Sequence, residues 1–211
     1  TTLYWGGTGS GLPGAVSGTD FNTASNWSTS STSYVASPAA PTQCNNVSLA
    51  LTSSATILLS GTAEIYGLTF TVSGNNRVAK LSTQGNTLTV NSDAVIDVLS
   101  GNGNTAIYIG ENSNSAGIVD FKANFKIGET YFANNVPQSY LSGNVNSKIT
   151  FRGDVLFGRT AAFLLPGQTV PNAGYPPTYP IAAPGAATTP GTIEFDGPGL
   201  QQVLWNNDRW Y

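Results

Sequence analysis

Short segments that alternate apolar and polar residues, each bounded by Gly, Asn or Ser, recur along most of the chain. Apolar side chains at every second position predict strands, and the turn residues between them keep the strands short. No stretch has the apolar stripe that predicts an amphipathic helix. The pattern therefore predicts an all-β fold. The predicted strands are Val47–Leu51, Ala55–Leu59, Leu68–Phe70, Thr87–Val90, Ala94–Leu99, Ala106–Ile109, Ile149–Phe151 and Ile193–Phe195; Ala94–Leu99 and Ala106–Ile109 are apolar enough to be buried on both faces.

Two of these segments belong to a longer repeated pattern. Ile149-Thr-Phe-Arg-Gly153 and Ile193-Glu-Phe-Asp-Gly197 begin 44 residues apart. A spacing near twice 22 residues, roughly the length of one turn, predicts two turns of a right-handed parallel β-helix, or β-solenoid. Phe151 and Phe195 are then expected in the core, where truncation of either to alanine is destabilising. The alternative is a β-sandwich, which needs tight hairpins at positions such as Asp196-Gly197.

Residues 1–46 form a distinct opening segment that is rich in glycine and serine. Its large apolar side chains are Trp5, Phe21 and Trp27, and we expect them to bury together as an aromatic cap on one end of the β-core. The stretch Asp20–Ala24 is expected to form one helical turn with Asp20 as its N-cap residue.

The rest of the chain divides by composition into a β-solenoid over residues 47–165, a proline-rich protruding loop over 166–190, and a continuation of the solenoid over 191–211. Seven prolines fall in the loop, and proline cannot donate a hydrogen bond to a strand ladder. The aromatic end at Trp210-Tyr211 resembles a strand cut in mid-course, so the chain is expected to be part of a longer protein.

The balance of charge argues against several classes of partner. Only 9% of the residues are charged and the formal net charge is −3, whereas about 25% of an average soluble domain is charged. Without a basic patch, neither nucleic acid nor an anionic membrane surface is an expected partner. No apolar run approaches the roughly 18 residues that a membrane span needs. The nearly neutral polar surface is typical of secreted and cell-surface β-proteins.

The chain contains no histidine and a single cysteine, Cys44. Histidine-dependent nucleophiles and histidine-ligated zinc are therefore excluded, and Cys44 is expected to be a small buried thiol. The carboxylates are scattered, so no catalytic residue, cofactor or metal site is assigned. The oxygen ligands of Glu111-Asn112-Ser113-Asn114, or of Asp93 together with Asp97, are of the kind that calcium prefers and are candidates for binding it.

Four aromatic residues are candidate contacts for a glycan or a partner protein. Tyr175 and Tyr179 lie within the proline-rich loop, and Trp205 and Trp210 lie near the end of the chain. Aromatic side chains supply large contact area at a low cost in conformational entropy. These candidates leave three hypotheses open: a non-catalytic adhesin segment, a carbohydrate-binding module of a secreted polysaccharide-degrading protein, and a β-helical polysaccharide lyase.

The opening segment resembles a module of very large secreted surface proteins of Bacteroidota. The matching residues are Trp5-Gly6-Gly7, then Asp20-Phe21-Asn22-x-Ala24-x-Asn26-Trp27-Ser28, then Pro38 or Pro41, then Asn46-Val47. Phe21 stands where tryptophan is usual and keeps an aromatic ring there. The segment from Ile193 to Val203 is similar to the repeat of the same family. Passengers of autotransporter type share a similar opening and are the nearest competitor.

This resemblance implies a β-solenoid segment of a giant adhesin. Such a protein is exported across the outer membrane, in many cases by the type IX secretion system, and some members serve gliding motility. The implied location is the cell surface, or the secreted fraction. The implied partner is a surface polysaccharide or another protein of the envelope or the secretion machinery.

Overall fold

A computed structural model describes residues 1–102, 105–110, 116–130, 139–142, 147–158, 161–164 and 192–205. In these residues the chain forms β-strands, one short 3-10 helix at Ala24–Asn26 and no α-helix. The predicted all-β class is confirmed. In chain order the strands are β1 (Thr2–Trp5), β2 (Trp27–Ser28), β3 (Asn46–Leu51), β4 (Ala55–Leu58), β5 (Ala63–Ile65), β6 (Gly67–Ser73), β7 (Val78–Ser82), β8 (Thr87–Val90), β9 (Ala94–Ser100), β10 (Ala106–Gly110), β11 (Ile118–Phe121), β12 (Phe125–Ile127), β13 (Ser139–Ser142), β14 (Lys148–Phe151), β15 (Val155–Phe157), β16 (Ala161–Leu164), β17 (Thr192–Phe195) and β18 (Val203–Trp205).

From β3 onward the strands are shared among three sheets, and each sheet takes every third strand. Sheet 1 has the order β2-β1-β3-β6-β9-β12-β15-β18, sheet 2 the order β4-β7-β10-β13-β16, and sheet 3 the order β5-β8-β11-β14-β17. Among the described strands, every pair is parallel except β1 with β2. We call three consecutive strands from β3 onward a repeat. The tight antiparallel hairpins that a β-sandwich needs do not occur between these strands.

The length of a repeat differs from the one predicted. Ile149 pairs directly with Ile193, so their 44-residue spacing is one repeat and not two. Repeats are shorter near the N-terminus, where Val47 pairs with Leu68, and intermediate in the middle, where Val119 pairs with Ile149. The prediction was wrong because the spacing of two similar segments gives the number of residues between them and not the number of repeats. Most of the 44 residues lie in the connection from β16 to β17.

The inward side chains of the three sheets form one continuous apolar core. Within it, the rings of Phe121 and Phe151 stack with centroids 5.5 Å apart, and Phe195 stacks on the other face of Phe151 at the same distance. Phe151 is fully buried, as expected, whereas Phe195 is 45% exposed. The expectation that Phe195 is a core residue was wrong because β17 is the last strand of its sheet and covers Phe151 without being covered itself.

Burial on both faces is confirmed for one of the two strands expected to show it. All five residues of β10 are buried, because Ala106 and Tyr108 form a small second cluster with Val78 on the outer face of sheet 2. In β9 the C-terminal end reaches solvent, and Leu99 is 52% exposed.

The N-terminal segment covers the first edges of two sheets. Strand β1 pairs in parallel with β3 and antiparallel with β2, which closes the edge of sheet 1. At sheet 2, the Phe21 amide donates to the Leu58 carbonyl at 2.8 Å and the Leu58 amide donates to the Thr19 carbonyl at 2.9 Å. Edges left open invite pairing with other chains, so this segment protects the start of the stack.

The aromatic side chains of the predicted cap contact one another. Trp5, Phe21 and Trp27 are buried, with Trp27 edge-on to both partners at centroid distances of 5.2 Å and 4.9 Å. Each indole nitrogen donates a hydrogen bond, Trp27 Nε1 to the Phe21 carbonyl at 2.7 Å and Trp5 Nε1 to the Thr8 carbonyl at 3.0 Å. The rings of the cap are thus buried, and both indole N–H groups have a hydrogen-bond acceptor.

The predicted helical turn begins later than expected and is not capped by Asp20. Asp20 forms an isolated parallel bridge with Leu58, so its backbone belongs to a strand-like segment. Its carboxylate accepts hydrogen bonds from the Asn22 amide at 3.0 Å and from Ser60 Oγ at 2.9 Å. The 3-10 helix follows Thr23, which makes no side-chain cap. Asp20 instead ties the N-terminal segment to the first repeat.

One inward position carries a hydroxyl group that no hydrogen bond satisfies. Ser139 Oγ is buried without a partner, and its register neighbours are Ile107 and Ala161. A buried polar group without a partner costs about 1–3 kcal/mol. We therefore expect Ser139→Ala to raise the free energy of unfolding, measured by urea denaturation, by about 1 kcal/mol or more. Thr150→Ala is the comparison, because Thr150 Oγ1 donates to Glu194; a loss of stability in Ser139→Ala would contradict the assignment.

Candidate functional site: an ionic network, a corner ladder and an open edge

Polar side chains form a ladder at the corner that leads into sheet 1. Asp93, Asn124, Asp154 and Gln202 each precede a strand of that sheet, and we call them the corner ladder. The Asn124 amide donates to Asp93 Oδ1 at 3.2 Å, the Asp154 amide to Asn124 Oδ1 at 3.1 Å, and the Gln202 amide to Asp154 Oδ1 at 2.9 Å. The side chains of Asp93, Asn124 and Asp154 therefore each bind the backbone of the next repeat, and Gln202 takes part through its backbone amide. These contacts fix the register between repeats.

Charged side chains form a second set of cross-repeat contacts on the outer face of sheet 3. We call Asp120, Lys122, Lys148, Arg152, Glu194 and Asp196 the ionic network. Asp120 pairs with Lys122 Nζ at 2.7 Å and with Arg152 Nε at 3.0 Å. Arg152 also reaches Asp196 at 2.5 Å, and Lys148 pairs with Glu194 at 2.5 Å. The network joins β11, β14 and β17, so three successive repeats are linked by charge as well as by backbone hydrogen bonds.

The pKa values of two acids in the network are lowered by these contacts. Burial opposes the ionisation of Asp120, but the hydrogen bonds and charges of Lys122 and Arg152 outweigh it and lower the pKa of this carboxyl group. The hydrogen bond from Lys148 is the main cause of the lowered pKa of Glu194. Both carboxylates are therefore held in the charged form.

The lowered pKa of Asp120 predicts a dependence of stability on pH. A carboxylate with a depressed pKa stabilises the fold above its usual pKa, which is about 3.8 for Asp120, and loses that contribution as the pH falls through the folded-state value. We expect the free energy of unfolding of Asp120→Asn to fall less steeply than that of the wild type from about pH 5 to about pH 3. The measurement is urea denaturation at each pH.

The control for this pH series is Glu64→Gln, because Glu64 contacts a neutral partner, Asn91 Nδ2, at 2.8 Å. It is expected to keep the slope of the wild type. Equal slopes for wild type and Asp120→Asn would show that the charge of Asp120 does not contribute to stability in this pH range.

A third acidic side chain, Asp97, lies on the outer face of sheet 1 and is nevertheless buried. It accepts hydrogen bonds from the backbone amide and the hydroxyl group of Thr130 and from the Val98 amide. Burial raises the pKa of Asp97 despite these hydrogen bonds. The group therefore fastens the end of β12 to β9.

Asp93 and Asp97 do not form a joint calcium site. Asp93 accepts from Asn124 at the start of β9, while Asp97 accepts from Thr130 farther along the same strand. Four positions of a strand separate the two residues by roughly 13 Å. The other stretch considered, Glu111-Asn112-Ser113-Asn114, lies outside the described residues. The described residues contain no cluster of three or more potential metal-ligating side chains.

Cys44 is exposed, so the expectation of a buried thiol was wrong. It lies in the turn before β3, where the Asn45 amide donates to the Thr42 carbonyl at 2.9 Å and Asn45 Oδ1 accepts from the Thr42 amide at 2.9 Å. The turn places residue 44 outside the β-core, and no apolar position of a strand is available to it.

Most of the predicted aromatic contacts lie outside the described residues. Tyr175, Tyr179 and Trp210 belong to this group, together with the proline-rich loop. Trp205 ends β18, where its backbone pairs with Phe157. The structure thus brings together Trp5, Phe21 and Trp27 of the predicted cap. A contact role for Tyr175, Tyr179, Trp205 and Trp210 stays a prediction.

The last described strands form an apolar edge, which we call the open edge. It consists of β17 and β18, the terminal strands of sheets 3 and 1. Its exposed side chains include Ile193, Phe195, Val203 and Leu204, with Phe195 at 45% and Val203 at 46%. At equivalent positions in earlier repeats, Phe151 and Val155 are buried. The two ends of the stack therefore differ, one covered by the N-terminal segment and one carrying apolar side chains in solvent.

Sequence reasoning missed both the corner ladder and the ionic network, although each left a signal in the sequence. An Asp or Asn stands directly before three strands of sheet 1, as in Asp93-Ala94, Asn124-Phe125 and Asp154-Val155. The two similar segments at Ile149 and Ile193 also exchange charge, since Arg in the first is replaced by Asp in the second. If the two segments are taken as strands that lie side by side, they predict an ion pair between Arg152 and Asp196.

Comparison with protein-family models, curated proteins and solved structures gave no match for this chain. In the part of the chain that the structure describes, no helix has the length and apolarity needed to cross a membrane.

Proposed function

We propose that this chain is a right-handed parallel β-helix that serves as a non-catalytic segment of a secreted cell-surface adhesin. Support for the β-helix comes from three parallel sheets that each take every third strand. Each repeat then corresponds to one coil, with the sheets as its faces. Right-handed crossovers between parallel strands account for about 98% of known cases, and this rule supports the proposed handedness.

The observation that supports the non-catalytic role is that the described carboxylates are engaged in hydrogen bonds and ion pairs within the protein. Each of the nine Asp and Glu side chains among the described residues contacts a hydrogen-bond or ion-pair partner. These acids are Asp20, Glu64, Asp93, Asp97, Asp120, Glu129, Asp154, Glu194 and Asp196. A paired-carboxylate mechanism requires acids that face a substrate. Most of these nine acids instead join one repeat to the next, while Glu129 pairs with Lys126 of its own repeat and Asp20 joins the N-terminal segment to the first repeat.

Such a stack is suited to a mechanical role. Backbone ladders, the corner ladder and the ionic network all run along the same direction, from one repeat to the next. Force applied along the stack therefore acts on many hydrogen bonds and ion pairs. The low content of charged residues leaves a polar, nearly neutral surface, which suits contact with surface polysaccharide or with another envelope protein.

Adhesion is tested with microspheres that carry the chain at one end, in flow over surfaces coated with neutral or acidic polysaccharides or with envelope extract. We expect retention on at least one surface at a shear that removes albumin-coated spheres. A variant lacking residues 168–188 tests the proline-rich loop as the contact, with circular dichroism as the check that the strands persist. Absence of retention on every surface would contradict the adhesive role.

The same preparation tests the enzymatic alternative. Incubation with uronate polymers is expected to leave the ultraviolet absorbance unchanged, because a non-catalytic segment forms no unsaturated product. A steady rise in absorbance that depends on the chain would replace the adhesin proposal with a polysaccharide lyase.

A further inference from the structure

We propose that the corner between sheet 3 and sheet 1 binds a neutral polysaccharide chain, which lies along the stack from Tyr66 across the next three repeats. This inference rests on the proposed function, because it takes the adhesive partner to be a polysaccharide and adds its class and its binding site. The structure describes this corner in every repeat. The undescribed residues lie in the connections from sheet 1 to sheet 2 and from sheet 2 to sheet 3, or follow β18.

The corner has the same length in three successive repeats. Val90 is in register with Phe121 and Phe151 before the corner, and Ala94 is in register with Phe125 and Val155 after it. Three residues therefore form each corner, and their types repeat. The first has a side-chain N–H donor, the second is small, and the third is Asp or Asn. The three corners are Asn91-Ser92-Asp93, Lys122-Ala123-Asn124 and Arg152-Gly153-Asp154.

An exposed aromatic ring lies at this corner one repeat earlier. Tyr66 is 49% exposed, and the Ser92 amide donates to its carbonyl at 2.5 Å. Ala123 and Gly153 follow along the stack, and a Cβ on Gly153 would lie 2.4 Å from the carbonyl carbon of Ala123. We call Tyr66, Ser92, Ala123 and Gly153 the Tyr66 track. It is roughly 14 Å long, three times the spacing of adjacent strands, and it ends where Gln201 Nε2 donates to the Gly153 carbonyl.

The corner ladder places polar atoms along one side of the Tyr66 track. Asp93, Asn124 and Asp154 each use Oδ1 to accept a backbone amide. Among the described residues, no group binds Asp93 Oδ2, Asn124 Nδ2 or Asp154 Oδ2, and all three side chains are exposed. An acceptor, a donor and an acceptor thus follow one another at about 4.8 Å, close to the length of one unit in an extended sugar chain. Sugar hydroxyl groups can pair with each, and their bonds to the carboxylates are charge-assisted.

The aromatic ring supplies the apolar part of the contact. The C–H groups on one face of a sugar ring pack on an aromatic face, and tyrosine combines such a face with a polar end. The next three residues of the Tyr66 track have small side chains, so a chain that starts on the ring meets no large group before Gln201. The track therefore offers one stacking surface followed by a row of hydrogen-bonding atoms.

Charge favours a neutral glycan over an acidic one. The cations of these corners are already engaged, since Lys122 and Arg152 both pair with Asp120. Asp93 and Asp154 form no ion pair with a described cation. Their carboxylates would repel a uronate or sulfate polymer that lay beside them, because like charges brought together cost binding free energy.

A peptide strand is a poorer occupant of this corner than a glycan. A peptide that binds as an added strand needs unpaired backbone groups to join. At this corner the amides of Tyr66, Ser92, Asn124 and Asp154 already donate within the stack. The groups left for a ligand are side-chain atoms and a ring, which suit a polyhydroxylated chain.

The test is affinity electrophoresis of the full chain in native gels. The neutral polymers are hydroxyethylcellulose, galactomannan and mixed-linkage glucan, and the acidic polymer is polygalacturonate. We expect at least one neutral polymer to retard the chain and polygalacturonate to leave its mobility unchanged. Tyr66→Ala is expected to weaken the affinity at least tenfold, as for an aromatic residue central to an interface. Tyr66→Phe keeps the ring and is expected to stay within about threefold of the wild type.

Two further variants separate this site from general adhesion to the gel. Asp93→Asn combined with Asp154→Asn keeps both Oδ1 acceptors of the corner ladder and replaces the free carboxylate oxygens, so weaker binding is expected at an unchanged melting temperature. Leu99→Ala truncates a side chain of similar exposure, 52%, at the far end of β9, and is expected to bind as the wild type does. In NMR spectra, oligosaccharides cut from the retarding polymer are expected to shift the side-chain amide signals of Asn124.

Three outcomes overturn the proposal. The first is that no neutral polymer retards the chain. The second is retardation that Tyr66→Ala and the double variant both leave unchanged. The third is stronger retardation by polygalacturonate than by every neutral polymer. If the microspheres of the adhesion experiment are still retained in any of these cases, the adhesive role stands and its contact lies elsewhere. Retardation that depends on Tyr66, without retention under shear, would instead support the site and contradict the adhesive role.

Discussion

Replacing Phe151 by alanine is expected to lower the free energy of unfolding by about 3–5 kcal/mol, the range for truncation of a fully buried phenylalanine. Phe151 is completely buried and lies between the rings of Phe121 and Phe195. Phe125 and Phe157 contact it from two other directions, at centroid distances of 4.8 Å and 6.3 Å. Alanine would leave a cavity that these large rings cannot fill without leaving their own positions.

The matched control is Phe195→Ala, which removes the same side chain at the same register position one repeat later. Because Phe195 is 45% exposed, its truncation is expected to cost about 1 kcal/mol or less, in the range of surface substitutions. Urea denaturation followed by intrinsic fluorescence measures both variants against the wild type. Equal losses would show that the two positions are buried alike in solution, contrary to the structure.

Replacing Trp27 by alanine is expected to have an effect of similar size, about 3–5 kcal/mol, and a second consequence. Trp27 is the central ring of the cap, edge-on to both Trp5 and Phe21. Without it, the N-terminal segment loses the side chain that holds its two other aromatic rings together. We expect the cap to detach from the stack, so that β3 and β4 become exposed edges and the variant aggregates at concentrations where the wild type is monodisperse.

Hydrogen exchange of the β3 and β4 amides measures this detachment directly, and light scattering measures the aggregation. Trp27→Phe is the control, since it keeps a buried ring and loses the hydrogen bond to the Phe21 carbonyl, which is worth about 1 kcal/mol. It is expected to retain the protection of β3 and β4. Protection that survives in Trp27→Ala would mean that the backbone hydrogen bonds at Leu58 and Asn46 hold the cap without the aromatic rings.

The strands and the cap were predictable from the sequence because both depend on local patterns. Alternation along Thr87–Val90 fixes which side chains face inward, and the tryptophans of a glycine-rich segment have few places other than a core. The repeat length was not predictable in this way. The 44 residues between Ile149 and Ile193 include one strand of sheet 1 and one strand of sheet 2, and only the pairing of β14 with β17 shows this.

The environment of single residues was harder to predict than the fold class. Phe151 and Phe195 stand in the same pattern, yet only the first is covered on both ring faces, because burial at the end of a stack depends on which strand is last. Cys44 was predicted to be buried because cysteine usually is, whereas its place in a turn makes it exposed. The corner ladder was missed for a related reason, since Asp and Asn before a strand are ordinary turn residues until the next repeat places a backbone amide beside them.

The in-register pairing of β14 with β17 has a practical consequence for engineering. Residues 165–191 lie in the connection that precedes β17, yet Lys148 to Phe151 still meet Thr192 to Phe195 one for one. The cost of closing a connection grows only with the logarithm of its length, so this corner can accept added chain at little expense to the stack. A foreign domain whose two ends lie close together could be inserted there, which would make the protein a scaffold for displaying cargo next to β17.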